Sequence, residues 1–183
     1  MWKHWPQGLV LLCLCGFVFS AEPTAIWLDV PFVKQTKDGC GAASVAMVMQ
    51  YWSSHGTRSF AESASDPDVI FRKLYSPEAR GIYASKLEGY LQQNEFRTFA
   101  ISGRWEDLKQ HLQKGRPLIV ALKPGSGLLH YVVVAGLDER ESVVMLNDPA
   151  GRKLLRTDKA SFENEWNGTH NWMLLAVPNP SVP

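Results

Sequence analysis

Cys40 is the residue of this sequence whose setting most favours chemistry. It lies between Gly39 and Gly41, directly before an apolar segment, Gly41 to Trp52, whose spacing predicts a buried helix. The partial positive charge at a helix N-terminus favours the thiolate, which is the nucleophilic form of cysteine. The alternative is a small buried hydrophobic residue, as many free cysteines are. The flanking glycines and the place at the helix start favour the reactive thiol.

A thiol nucleophile needs a base, and His130 is the best placed of the five histidines. It opens an apolar, β-branched strand, Leu129 to Leu137, directly after the glycine-rich loop from Lys123 to Gly127. The other histidines lie in the N-terminal segment, at the polar ends of predicted helices or in a loop: His4, His55, His111 and His170. We therefore predict that His130 is the base.

The hairpin that contains His130 predicts its partner. If Leu129–Leu137 and Ser142–Asn147 pair through a turn at Asp138–Glu141, opposed residues have numbers that add up to 278 or 279. Asp148 or its neighbour then lies opposite His130, with Cβ atoms about 4.5–5.5 Å apart, as in any directly opposed antiparallel pair. An imidazole and a carboxylate would meet at the open end of the hairpin.

Two alternatives remain open for this pair. Asn147 is the competing orienter of the histidine, because an amide can serve the same role, and only the register decides between Asn147 and Asp148. The pair can also be purely structural, with no catalytic role. The presence of Cys40 favours a Cys–His–Asp triad, in which the carboxylate fixes the tautomer and orientation of the ring.

Acyl transfer also needs donors for the developing oxyanion. The backbone N–H of Cys40 is one candidate. Gln35 lies five residues earlier on a polar turn, and its side-chain amide can reach the same position. We predict that both contribute.

The elements that must position these residues form an α+β layout, with helices packed on a C-terminal antiparallel sheet. The predicted helices are Gly41–Trp52, Asp68–Leu74 with a cap at Asp66, Gly81–Gln93, and Trp105–Gln113 with a cap at Ser102. The predicted strands are Phe96–Ile101, Pro117–Leu122, Leu129–Leu137, Ser142–Asn147, Lys153–Leu155 and Trp172–Val177.

Composition excludes several classes of function. With 19 basic and 18 acidic residues the net charge is +1, which leaves no electrostatic footprint for nucleic acid. The histidines and cysteines do not have the spacing of metal ligands, and no glycine-rich phosphate loop follows a strand. We expect no cofactor, and the sequence does not indicate an oligomeric state.

The first twenty residues predict a secretory signal peptide, with an apolar run from Gly8 to Phe19 that is too short to span a membrane. Cleavage after Ser20 is the first choice, and a lipoprotein anchor at Cys15 is the weaker alternative. Residues 21–183 would then form one exported domain, periplasmic or secreted, with no membrane span and with Cys40 as its single cysteine.

Three segments carry a resemblance to a known family: VPFVKQTKDGCGAASVAMVM, GLLHYVVVAGLD and VVMLNDPAG. They resemble papain-like cysteine peptidases, and more closely the bacteriocin-processing peptidases that cut after double-glycine leaders. The resemblance implies a papain-like fold and assigns the site to Gln35, Cys40, His130 and Asp148. Members of that group are usually cytoplasmic domains fused to an ABC exporter. The predicted signal peptide instead implies a stand-alone exported relative acting on other peptides, and the sequence does not tell whether the double-glycine preference applies.

The leading hypothesis is therefore a cysteine peptidase that acts on a peptide or protein outside the cytoplasm. Another acyl transfer by the same triad, as in a transpeptidase or a cell-wall amidase, is the alternative within enzymes. A non-catalytic module that binds peptides is the alternative outside them.

Overall fold

An antiparallel sheet with helices on both faces forms the fold. The computed structural model describes residues 1–2, 25–56, 61–125 and 127–180. In this part of the chain the strands are β1 Ala25–Trp27, β2 Phe96–Ser102, β3 Leu118–Leu122, β4 His130–Asp138, β5 Val143–Asn147, β6 Leu155–Asp158 and β7 Trp172–Pro178. The helices are α1 Cys40–Ser54, α2 Pro67–Leu74, α3 Ala84–Gln93, α4 Trp105–Gln113 and α5 Lys159–Asn167, with a 3₁₀ turn at Glu62–Ser65. The fold class is α+β, as predicted.

The sheet has the order β2-β7-β3-β4-β5-β6, and β1 pairs with the second half of β4. Strand β4 lies in the centre and is buried on both faces, which explains its nearly continuous apolar sequence. Its alternate residues enter different clusters, because successive side chains of a strand point to opposite faces. Tyr131, Val133 and Ala135 belong to the cluster that contains α1, whereas Val132 and Val134 join α4 and α5.

Helix α1 is the central helix of the first cluster. Ten of its fifteen residues are buried, and it is apolar around most of its circumference, as the sequence predicts. Its ring-bearing residues are tied to the sheet and to the loop before β3: Trp52 Nε1 donates to the carbonyl of Ala176 at 3.0 Å, and the Tyr51 hydroxyl donates to that of Gly115 at 2.9 Å. These contacts fix the helix on the face of the sheet, and so fix its N-terminus, where Cys40 lies.

Most predicted elements are present, although α3 begins at Ala84 instead of Gly81 and the cap of α4 differs. The side chain of Asp66 caps α2 as predicted, since its Oδ1 accepts from the N–H of Asp68 at 2.8 Å. The predicted cap of α4 at Ser102 is wrong, because Ser102 ends β2 and donates to the carbonyl of His170 at 2.7 Å. Arg104 occupies the N-cap position instead, and its N–H donates to the Asp107 carboxylate at 2.9 Å.

Helix α5 and strand β1 are elements that the sequence reasoning missed. Helix α5 presents only Phe162 and Trp166 to the core, too few apolar positions for a periodic signal. Asp158, whose side chain accepts from the N–H of Ser161 at 2.9 Å, is the capping signal that would have marked its start. The strand predicted at Lys153–Leu155 begins instead at Leu155.

The predicted register of the β4–β5 hairpin is also wrong. Val133 lies opposite Asn147, and beyond a bulge Gly136 lies opposite Met145, so paired residue numbers add up to 280 and then 281. The connection extends to Ser142, which has a positive φ of 51°, and the bulge adds one residue to β4. The β4–β5 ladder begins at Val133 and Asn147, so His130 and Asp148 are not paired in the sheet. On the other side of β4, His130 lies opposite Leu122 of β3.

The predicted signal peptide falls on residues of which 3–20 lie outside the described part of the chain. Among the described helices, none has both the length and the apolar character required to cross a bilayer.

Gly136 provides a test of how β1 is attached. A Cβ at this position would lie 2.6 Å from the Ile26 carbonyl oxygen and 2.9 Å from the Trp27 Cβ. Gly136→Ala should therefore lower the free energy of unfolding by about 1–3 kcal/mol, the usual cost of overpacking. Gly89→Ala is the matched control, since nothing lies within 4 Å of its added Cβ, and in α3 it should instead gain up to about 1 kcal/mol. Urea unfolding of both variants measures the difference, and equal stability of Gly136→Ala and the native protein would contradict this account of β1.

Candidate active site

Cys40 is the first residue of α1, and a tight turn delivers the chain to it. The N–H of Gly39, the N-cap, donates to the Thr36 carbonyl at 3.0 Å. A Cβ on Gly39 would lie 3.0 Å from Thr36 Oγ1 and 3.1 Å from the Thr36 carbonyl oxygen, so the turn leaves little room for a side chain there. The N–H groups of the first helical turn have no partners within the helix, so they point toward the region of the Cys40 thiol.

Gly41, on the other side of the cysteine, allows α1 to approach the sheet closely. A Cβ at Gly41 would lie 3.1 Å from Leu87, 3.3 Å from the ring of Tyr131 and 3.4 Å from Ile82. Tyr131 directly follows His130 in β4. The absence of a side chain at Gly41 therefore brings the start of α1 against the start of β4, and Cys40 next to His130.

His130 contacts both of its predicted partners. Its Nε2 lies 2.7 Å from Asp148 Oδ1, and the side chain of Cys40 lies close enough to the ring to raise the pKa of His130. The side chains of His130 and Asp148 are 22% and 20% exposed, so the pair is partly shielded but open to solvent at one edge. The contact forms although the two residues are not opposed in the sheet, because the chain turns back after Asn147.

A network of backbone donors holds the Asp148 carboxylate in place. Its Oδ1 accepts from the N–H of Ala150 at 2.9 Å, in addition to the contact with His130. The backbone of the same residue closes a short loop, since the Gly151 N–H donates to its carbonyl at 3.0 Å and its own N–H donates to the Arg152 carbonyl at 3.2 Å. The carboxylate is thereby directed at the histidine.

The electrostatics of the site favour a charged histidine. Burial alone would lower the pKa of His130, but the hydrogen bonds to Asp148 and Cys40, and the negative charge of both, raise its pKa to about 9. Burial tends to raise the pKa of Asp148, yet the hydrogen bond to His130, the charge of His130 and the N–H groups of Ala150 and Gly151 lower it overall. At neutral pH the pair therefore consists of an imidazolium and a carboxylate.

Gln35 lies on the segment that leads to Cys40 and is tied to the Asp148 loop. Its backbone N–H donates to the carbonyl of Pro149 at 3.0 Å. Its side-chain Oε1 is buried and has no hydrogen-bond partner among the described residues. An amide in a buried place without a structural hydrogen bond is costly, so it is typical of a group kept for a ligand.

Asn147, the competing orienter, faces away from the histidine. Its Nδ2 donates to the carbonyl of Val30 at 3.0 Å and to that of Pro31 at 3.3 Å, while its Oδ1 accepts from the N–H of Leu154 at 3.0 Å. The structure therefore places Asp148, and not Asn147, against His130.

An apolar cleft adjoins His130 and was not found from the sequence. Its volume is about 390 Å³, and it lies between the segment before α3 and the loop before β4. It is lined by Ala79, Ile82, Tyr83, Ala84, Leu128, Leu129 and Tyr131. Leu128 and Leu129 are 53% and 52% exposed, and such a pair beside a glycine-rich loop is the signal that could have indicated it. A larger cavity of about 490 Å³ near Ser63–Pro67 contains none of the four predicted site residues, so the chemistry favours the apolar cleft.

Of the predicted site residues, the structure brings Cys40, His130 and Asp148 into direct contact and places Gln35 on the adjoining turn. Their catalytic roles remain a prediction. The described residues contain no group of three or more histidine, cysteine or acidic side chains able to hold a metal ion.

The Asp148 contact predicts how His130 titrates. Because the pKa of His130 is raised from 6.5 to about 9, the pair stabilises the folded state fully below pH 6.5, and this contribution is lost as the pH rises through about 9. Asp148→Asn should bring the pKa of His130 down toward its ordinary range. NMR titration of the His130 ring measures this change.

Asp29→Asn, which removes an exposed carboxylate paired with Lys153 at 2.6 Å, is the control and should leave the titration unchanged. A titration near pH 9 that persists in Asp148→Asn would count against the carboxylate as its cause.

The chain resembles solved peptidase structures over most of its length. A C39-like peptidase from Bacillus anthracis superposes with a TM-score of 0.67 and 17% identity, covering 86% of this chain and 99% of that one. The peptidase domain of Streptococcus ComA, a bi-functional ABC transporter of a quorum-sensing pathway, has a TM-score of 0.59 and 23% identity, covering 82% and 98%. A double glycine motif protease from an AMS/PCAT transporter, solved with its leader peptide, has a TM-score of 0.61 and 18% identity, covering 84% and 94%.

At these identities the superpositions show the fold, which is the papain-like fold of C39 peptidase domains. A comparison with curated protein sequences gives no significant match. The model of the Peptidase_C39 like family matches residues 27–173, well over half of the sequence. This match includes Cys40, His130 and Asp148, and the chain therefore belongs to the Peptidase_C39-like family of cysteine peptidases.

Proposed function

We propose that this protein is a cysteine peptidase that hydrolyses peptide bonds outside the cytoplasm, with Cys40 as its nucleophile. The observation that carries the proposal is the placement of Cys40, at the N-terminus of α1, next to His130, whose Nε2 lies 2.7 Å from Asp148 Oδ1. A nucleophile, a base within hydrogen-bond reach and a third group that orients the base make up the arrangement that covalent catalysis requires. The family membership supports the same chemistry.

The pKa of His130, raised to about 9, supports a resting state in which the histidine carries its proton. The proposed nucleophile is the thiolate form of Cys40. The Cys40 sulfur attacks the carbonyl carbon of the scissile bond, and a C–S bond forms as the carbonyl becomes an oxyanion. His130 then gives its proton to the leaving amine as the C–N bond breaks. Water, deprotonated by His130, attacks the acyl-enzyme, releases the acid product and restores the thiolate.

Two donors are proposed for the oxyanion. The backbone N–H of Cys40 lies at the start of α1, where it has no partner within the helix. The side-chain Nε2 of Gln35 is the second proposed donor, and the Gln35 segment is held against the Asp148 loop through Pro149. Donors that are oriented before the substrate arrives stabilise the developing charge at little cost of reorganisation.

The apolar cleft is proposed to bind a substrate side chain near the scissile bond. It is lined by Tyr131, next to His130, and by Tyr83 and Leu129. An apolar or aromatic residue of the peptide would cover these exposed side chains, which favours a peptide or protein substrate. A similar fold has been solved with a leader peptide bound, which supports peptide recognition here but not a double-glycine preference.

Substitution of Cys40 is the first test of the proposed peptidase function. Cys40→Ala should reduce turnover of a peptide library by roughly 10⁴-fold or more, because the covalent step is lost. Iodoacetamide should inactivate the native protein to the same degree. Thermal unfolding of the variant is the control for folding, and unchanged cleavage by folded Cys40→Ala would refute the proposal.

The same library separates the alternatives. Trapping the acyl-enzyme and identifying the acceptor distinguishes hydrolysis from transfer to an amine, as in a transpeptidase or an amidase. Peptide binding of equal strength in Cys40→Ala and in the native protein, without turnover by either, would instead indicate a binding module.

Gln35 is tested by a second substitution. Gln35→Ala should lower kcat by about 10²–10³-fold with a much smaller change in KM, since the interaction is made mainly in the transition state. Gln92→Ala is the matched control, because Gln92 donates to Thr98 at the surface, at 2.8 Å, outside the site. Steady-state kinetics on one cleaved peptide provides both parameters, and a kcat unchanged by Gln35→Ala would remove Gln35 from the oxyanion site.

A further inference from the structure

The two halves of the candidate site come from separate parts of the fold. Cys40 and Gln35 arrive on the segment between β1 and α1, whereas His130 and Asp148 come from β4 and from the loop after β5. Residues 28–39 form no strand or helix, and the N–H of Leu28, which donates to the Ala135 carbonyl at 2.7 Å, joins only the start of this segment to β4. Their position relative to Asp148 must be set by other contacts.

Asn147 makes the most buried of these contacts. It is fully buried, with 0% of its surface exposed, and is one of three buried polar residues of the described chain. Its Nδ2 donates to the carbonyls of Val30 and Pro31 at 3.0 and 3.3 Å, on the segment that leads to the cysteine. Its Oδ1 accepts from the N–H of Leu154 at 3.0 Å, which closes the loop that carries Asp148. One amide thus holds both halves of the site.

The chemistry of these contacts requires an amide. Two carbonyl oxygens need donors and one N–H needs an acceptor, and asparagine supplies both from a single short side chain. An apolar residue would leave one buried and two partly buried backbone contacts unmade, which is costly. A carboxylate would place negative oxygen against two carbonyls.

The position of Asn147 in the chain couples it to the catalytic carboxylate. It directly precedes Asp148, and it is the last residue of β5, so its backbone is anchored opposite Val133 of β4. A second tie runs in parallel, from the N–H of Gln35 to the carbonyl of Pro149 at 3.0 Å. Both contacts join the segment before α1 to a residue next to Asp148, which is Asn147 in the first case and Pro149 in the second.

We propose that Asn147 is a positioning residue, which sets the placement of Asp148 against His130 and of the Gln35–Cys40 segment against both. The effect of Asn147 on catalysis rests on the proposed peptidase function. Its effect on the titration of His130 does not, because the hydrogen bond between Asp148 and His130 exists without substrate.

The test compares Asn147→Ala and Asn147→Ser with the native protein. The groups that act on the titration of His130 are Asp148, after β5, and Cys40, from α1. Loss of the amide should loosen the Asp148 contact, so the His130 ring should titrate well below pH 9 in the alanine variant and at an intermediate pH in the serine variant, which keeps one donor. The ring is followed by NMR, with its signal identified by its absence in His130→Gln.

Peptide cleavage gives the second readout. Misplacement of a catalytic group by about 1 Å can cost up to about 10²-fold in rate, so kcat should fall by roughly 10–100-fold in Asn147→Ala, with KM changed far less. Lys153→Ala is the control, because it breaks the exposed pair with Asp29 on the same segment without touching the buried amide. It should leave both the titration and kcat unchanged.

The two measurements together decide whether Asn147 has a positioning role. Folded Asn147→Ala with the native His130 titration and native kcat would show that the amide only stabilises the fold, and the inference would be abandoned. If the alanine variant does not fold, the same two measurements on Asn147→Ser decide. A shifted titration in a protein whose native form cleaves no peptide would overturn the peptidase proposal and leave the positioning role in place.

Discussion

The close packing of the first turn of α1 against the first residues of β4 is the constraint on which the candidate site depends. Gly41 has no side chain, and any Cβ there would meet Leu87, Tyr131 and Ile82 at 3.1 to 3.4 Å. The backbone of the helix therefore lies directly on the ring that follows His130. A thiol from a helix N-terminus and an imidazole from a central strand can meet only at such a short separation. The burial of α1 provides the hydrophobic energy that holds this contact together.

Burial and charge act in opposite directions at His130, and charge prevails. Removal of water from an imidazolium lowers its proton affinity, but two partners that carry or develop negative charge lie within hydrogen-bond reach. The Asp148 carboxylate is itself held by the Ala150 N–H, so it does not need to reorient when the histidine is charged. The result is an ion pair at the start of the central strand β4, open to solvent on one side and bordered by an apolar cleft.

The segment between β1 and α1 shows how an irregular stretch is made rigid. Besides the exposed Asp29–Lys153 pair, three contacts of buried or backbone groups hold it: Leu28 donates to the Ala135 carbonyl at 2.7 Å, Asn147 binds Val30 and Pro31, and Gln35 donates to Pro149. Backbone polar groups in a buried segment must find partners, and here they find them on β4 and on the loop after β5. The same contacts that satisfy this segment also hold the nucleophile and the carboxylate in one frame.

The sequence by itself determined the elements whose signals are local. The apolar circumference of α1, the Asp66 cap of α2 and the two-sided apolar run of β4 are properties of neighbouring residues, and each was predicted from them. The pairing of His130 with Asp148 was predicted as well, although the register used to derive it was wrong.

The tertiary structure decided what depends on distant segments. The bulge beside Gly136, which shifts the register, accompanies the pairing of Gly136 with Trp27 of β1, where β1 leaves no room for a Cβ. Whether Asn147 or Asp148 faces the histidine was settled by Val30, Pro31 and Leu154, which engage the asparagine from elsewhere in the chain. Sequence patterns report burial and local capping, but they do not report which remote backbone groups compete for a side chain.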